Sequence, residues 1–152
     1  MSKLTVTTPG ETTLRFERYF AAKRERVFDV FHDAEMMKTW YSSPGYPVAE
    51  VISEAKTGGS LKIVWKPDNG DTMILTGQWL EMNRPESSKF TENWEPDWTE
   101  GEVVNEVEFN EANGGTMLIL TSFYSSKVAR DGAKEGAAEG FGSSLDTLET
   151  LL

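Results

Sequence analysis

The chain has 152 residues, 38% of them hydrophobic and 26% charged, a balance that fits one globular domain and excludes a disordered or membrane-spanning chain. Its 25 acidic against 15 basic side chains leave a net charge of −10, which argues against a nucleic-acid partner because phosphates need a basic face. The absence of cysteine excludes disulfides, iron–sulfur ligation and thiol catalysis, and a single histidine cannot build a histidine-rich metal site within one chain.

Residues 1–11 read as a flexible N-terminal segment, and one domain is expected over residues 12–152. The opening has no apolar stretch of signal-peptide length, and no later run is long enough to cross a bilayer, so a cytoplasmic location without membrane insertion is expected. Thr12 to Phe20 predicts a strand with Leu14, Phe16 and Phe20 on one face and Arg15, Glu17 and Tyr19 on the other. Arg24 to Phe31 predicts a short helix, and Asp33 is a suitable N-cap for a second one ending near Trp40. Ser43, Pro44, Gly45 and Pro47 end it.

From Val48 the pattern changes to period two. Strands are expected over Val48 to Ser53, around Leu61, Ile63 and Trp65, from Thr72 to Glu81, from Ser88 to Trp94, from Glu102 to Asn110 and from Thr116 to Tyr124. Gly58-Gly59, Pro67-Asp68-Asn69-Gly70 and Asn113-Gly114-Gly115 supply turns between them. The facing of the Thr72 to Glu81 strand stays open, since Met73, Leu75 and Trp79 alternate with Ile74 and Leu80.

A long helix is expected from Ser126 to Leu152. Gly132, Gly136 and Gly140 form one stripe on it, and Ala133, Ala137, Phe141, Leu145, Leu148 and Leu152 form another beside it. Each interior glycine costs a helix about 1 kcal/mol relative to alanine, so the stripe needs a reason. Close packing against a sheet is the commoner one, and a cavity left open by the small face is the other. Charged residues interleave with these glycines, which rules out a membrane-helix pairing motif.

Strands joined by hairpin turns and followed by one long amphipathic helix describe an α+β layer structure, an antiparallel sheet of six or seven strands with the helix across its inner face. Lys38-Thr39-Trp40-Tyr41 with Pro44-Gly45, Gly58-Gly59-Ser60-Leu61, Gly77-Gln78-Trp79 with Arg84-Pro85, and Gly114-Gly115-Thr116 resemble the START-like SRPBCC superfamily. Within it the chain is most similar to the group related to the C-terminal domain of the activator of heat shock protein 90 ATPase, and Arg130-Asp131-Gly132, Glu139-Gly140-Phe141 and Ser144-Leu145-Asp146 resemble that group's terminal helix. The resemblance implies a helix-grip fold, a curved sheet grasping the long C-terminal helix. It also implies an apolar ligand held between sheet and helix, or action through a protein partner, with a stress-related role. It transfers no catalytic motif to numbered positions, and a single domain brings no expectation of ATPase activation.

The search for chemistry in the side chains yields no catalytic residue, no metal ligand set and no cofactor. His32, beside Asp33, reads as an exposed or capping residue. None of the serines stands in a nucleophile-elbow pattern, and the Gly-Gly pairs lack the lysine and the strand–loop–helix unit of a phosphate loop. Glu92, Glu95, Asp97, Glu100 and Glu102, clustered around Trp94 and Trp98, read as a solvated hairpin. Trp98 packs across that hairpin or stands at an exposed loop tip.

A ligand site is expected among Trp40, Tyr46, Trp65, Trp79, Trp94 and Phe141, together with the small helix residues Ala133 and Ala137. Arg18 and Asn105 take places in the apolar alternation of their strands, where a buried polar group needs a partner, and either could orient a bound molecule. The leading expectation is a binding module for a small hydrophobic or amphipathic molecule. The alternatives are a protein-interaction or cochaperone-like domain with a solid core and an exposed patch, and cyclase or hydrolase chemistry, which would require a buried acid or base in the pocket wall.

Overall fold

A computed structural model describes residues 4–152 of the chain. The elements follow in the order β1 (Thr5–Thr7), β2 (Thr13–Phe20), α1 (Arg24–His32), α2 (Ala34–Trp40), β3 (Val48–Ser53), β4 (Ser60–Trp65), β5 (Met73–Asn83), β6 (Ser87–Glu95), β7 (Val103–Ala112), β8 (Gly115–Phe123) and α3 (Lys127–Thr150). The strands form one eight-stranded antiparallel sheet in the order β1-β2-β8-β7-β6-β5-β4-β3. This is an α+β helix-grip architecture, with one strand more than the upper expectation. The extra one is β1, which lies within the segment expected to be flexible and pairs Val6 with Phe16 of β2. The first three residues of that segment lie outside the described residues.

The local signals explain the boundaries. Asp33 caps α2 by accepting from the Met36 amide, and Ser126 caps α3 by accepting from the Ala129 amide at 3.0 Å. Asn113 at φ 47° and Gly114 at φ 78° make the two left-handed positions of a tight hairpin between β7 and β8. Gly77 in β5 permits a close approach, because a Cβ there would stand 1.9 Å from the Thr91 carbonyl oxygen. The ambiguous strand resolves with Leu75 and Trp79 inward.

Two unlike regions fill the concave side. Under α1 and α2 the core is solid: Phe28 and Phe31 meet Phe109 edge-on, and Trp40 is buried with its indole N–H donating to the Val30 carbonyl at 3.1 Å. His32 belongs to this core, which corrects its reading as an exposed or capping residue. Its ring lies 4.9 Å from Trp79 and 4.1 Å from Phe28, Nδ1 is 2.6 Å from the Phe28 carbonyl oxygen, and Nε2 is 2.8 Å from Ser88 Oγ. A carbonyl can only accept, so Nδ1 carries the proton, and the Ser88 hydroxyl donates to Nε2. Burial pushes the imidazole pKa down to about 4.

Helix α3 covers the other region and is fastened at its two ends. Near its start, Arg130 donates to the carbonyls of Gly10 and Thr13 at 2.6 and 3.1 Å. Near its end, Leu145 and Leu148 are fully buried, Arg18 of β2 pairs with Asp146 and Glu149, and Arg26 donates to the Leu151 carbonyl at 2.8 Å.

Candidate functional site

Between these two fastenings the helix presents Gly136, Ala137, Gly140 and Phe141 over the sheet. Close packing does not account for the glycine stripe. A Cβ built on Gly132, Gly136 or Gly140 would meet nothing within 4 Å, and Gly136 and Gly140 border open space. The result is a cavity of about 600 Å³ between the sheet and the middle of α3. Its floor comes from alternate residues of the strands, among them Phe16, Leu75, Phe90 and Leu120. Its mouth is formed by the α2–β3 segment, with Tyr41, Pro44 and Tyr46, and by Trp98 in the β6–β7 loop.

The wall is mainly aromatic. Trp65 and Trp94 stack with ring centres 5.3 Å apart and planes 19° apart, and Trp98 tilts against Trp94 at 5.2 Å. Phe141 meets Phe16 edge-on at 5.3 Å across the space between helix and sheet. Trp98 both packs on its hairpin neighbour and remains 44% exposed, and Tyr46 is 49% exposed, so the mouth carries accessible aromatic surface.

One polar strip crosses this apolar lining. Along β6 the inward positions are Ser88, Phe90, Glu92 and Trp94, so the strand runs from the His32 core into the cavity. Glu92 Oε2 accepts the Trp94 indole N–H at 2.9 Å, and Oε1 accepts from the Asn105 amide nitrogen at 2.9 Å. Asn105 is fully buried on β7 opposite Ser122 of β8, whose hydroxyl donates to its amide oxygen at 2.5 Å. Burial raises the Glu92 pKa above the ordinary carboxylate range, against the lowering effect of the Trp94 and Asn105 hydrogen bonds. The Tyr41 and Tyr124 hydroxyls are pushed upward by burial and, secondarily, by the Glu92 charge.

The expected site residues therefore fall into three groups. Tyr46, Trp65, Trp94, Ala137 and Phe141 stand in the cavity wall. Asn105 stands behind the wall, holding Glu92. Arg18, Trp40, Trp79 and Ala133 lie elsewhere: Arg18 under the end of α3, Trp40 and Trp79 in the core beneath the short helices, and Ala133 buried on α3 before the cavity begins. Glu92, Tyr41, Tyr124 and Ser122 were not anticipated as site residues. Glu92 corrects the reading of its cluster as wholly solvated; its place on the same strand face as Phe90 and Trp94 was the available signal. Asp97 instead closes the β6–β7 loop, accepting from the amides of Thr99 and Gly101. Among the described residues no group of three or more His, Asp or Glu is placed to hold a metal ion, and no helix is long and apolar enough to cross a membrane.

Solved structures place this architecture among known ones. A protein from Rhodobacter sphaeroides is 25% identical, superposes with a TM-score of 0.90, and the match covers 98% of this chain and 97% of that one. Protein Ms6760 from Mycobacterium smegmatis is 22% identical with a TM-score of 0.85, covering 98% and 96% of the two chains. The AHSA1 protein from Silicibacter pomeroyi is 25% identical with a TM-score of 0.76, covering 91% and 95%. No curated protein matches the chain. Residues 21–152 match the family of Activator of Hsp90 ATPase homolog 1-like proteins, and that span takes in every element from α1 to α3. The chain belongs to the Activator of Hsp90 ATPase homolog 1-like family.

Proposed function

We propose that this domain binds a small hydrophobic or amphipathic molecule in the cavity between the sheet and α3. The observation that carries this reading is a space of about 600 Å³, well inside the range of ligand sites, bounded by a helix face whose glycines and alanine leave it unfilled. A fold selected only to be solid would gain stability by replacing those glycines, since a Cβ fits at each one. The protein-interaction alternative called for a solid core together with an exposed apolar patch near Trp98 or the Trp40 to Tyr46 loop; the exposure of Trp98 and Tyr46 fits that patch, while the open space under α3 supports the ligand reading.

Native mass spectrometry beside a denatured control tests the reading by the appearance of a co-purifying mass. An Ala137→Leu variant, which enlarges a half-buried side chain of the cavity lining, is expected to lose that mass while unfolding cooperatively. A clean apo spectrum together with no thermal shift across a lipid and metabolite panel would refute it. A second reading rests on Glu92: an acid in the wall is the condition that cyclase or hydrolase chemistry set. Conversion of the bound compound by the native protein but not by Glu92→Gln would establish it.

A further inference from the structure

The charges around the cavity are one-sided. Among the described residues its lining contains two carboxyl side chains, Glu92 and Glu139, and no lysine, arginine or histidine. The two buried arginines that fasten α3 are already paired: Arg18 with Asp146 and Glu149, and Arg130 with backbone carbonyls and Asp131. A fatty-acid carboxylate or a phosphate entering this space would therefore find no counter-charge and would face an acid.

Glu92 in turn has no cationic partner among the described residues. Its two oxygens receive one neutral donor each, from Trp94 and Asn105, and a carboxylate oxygen has room for more than one. Burial works against its charged form, and the forces that favour that form are these two hydrogen bonds alone. Its donors are fixed in place: Asn105 by Ser122, and Trp94 by its stack on Trp65. The carboxyl is thus held in place at the N–H edge of Trp94, beside an aromatic wall that suits the apolar body of a guest.

We infer that the cavity takes an organic cation, an amine or quaternary ammonium on an aromatic or aliphatic body, with its charge against Glu92 and its body along the aromatic wall. This rests on the ligand-binding reading above and narrows it to one chemical class. The net charge of −10 acts in the same direction at longer range, raising the concentration of cations near the mouth.

Three probes of one shape separate the cases: naphthylethylamine, the corresponding naphthylethanol, and naphthylacetate, each titrated by calorimetry into the full chain. The amine is expected to bind about tenfold or more tightly than the alcohol, and the acetate more weakly than either. In Glu92→Gln, which keeps an acceptor for Trp94, the advantage of the amine should vanish while the alcohol binds as before. Binding of the alcohol or the acetate as tight as that of the amine in the native protein overturns the inference and leaves the ligand-binding reading standing. Failure of all three probes to bind counts against that reading itself, and the inference falls with it. The native-protein comparison needs no variant, so a folding defect in Glu92→Gln, visible in its thermal unfolding, does not blunt the test.

Discussion

Acid should unfold this protein through a residue remote from the cavity. His32 is buried among Phe28, Trp79 and Phe109 and satisfied at both ring nitrogens in its neutral form. Its native pKa is lowered to about 4 from an ordinary 6.5, chiefly by desolvation. Below pH 6.5 the unfolded chain takes up a proton that the native state refuses until about pH 4, so this contribution to stability is complete above 6.5 and is lost as the pH falls toward 4. At about 1.4 kcal/mol per pH unit, that interval corresponds to a loss of about 3 kcal/mol. Urea unfolding of the native protein and of His32→Gln, at steps between neutral pH and pH 4, measures it as the difference between two curves. Carboxylates away from His32 titrate in both proteins and largely cancel. The native protein is expected to lose about 3 kcal/mol more than the variant across the interval. Parallel curves, or an NMR titration of His32 with a midpoint near 6.5, would refute the reasoning.

Two further substitutions test the account of α3. Gly132→Ala meets no atom within 4 Å and lies outside the cavity lining, so it should stabilise the domain by about 1 kcal/mol and raise the melting temperature by about 2–4 °C; a fall would show that something packs on that face. Asp146→Asn removes the nearer charge partner of the buried Arg18 guanidinium; because Asp146 is itself half exposed, the expected loss is about 1–2 kcal/mol in chemical unfolding, and an unchanged midpoint would mean that Glu149 alone suffices.

The fold was legible because its signals are local. Period-two alternation, turn residues such as Asn113-Gly114 and the cap Asp33 act within a few residues, and each one sits where the sequence predicts it. Strand β1 escaped because Thr5-Val6-Thr7 is too short to show a period, and its pairing with β2 is a tertiary fact. The site was legible only in part. Aromatic residues identify a ligand wall and a packed core equally well, so Trp65 and Trp79 look alike in sequence although one faces the cavity and the other His32. What separates them is position along the sheet, which depends on where α1, α2 and α3 come to rest. The single histidine misled for a related reason: next to Asp33 it looks solvated, yet the helix turns it onto Ser88, 56 residues away. The glycine stripe pointed to the right helix face, but only the absence of neighbours distinguishes a space from a contact.

The fastening of α3 at its two ends has an evolutionary consequence. Arg130 with Ser126 at one end, and Leu145, Leu148 and the Arg18 pairing at the other, hold the helix through residues that do not touch the middle of its inner face. Substitutions at Gly136 and Gly140, where an added Cβ meets nothing within 4 Å, can therefore accumulate with little selection against them for foldability, and those positions are free to drift. Descendants of one ancestral scaffold can thus exchange one guest for another through changes in a turn or two of helix, and overall sequence likeness within such a lineage becomes a poor guide to what its members hold.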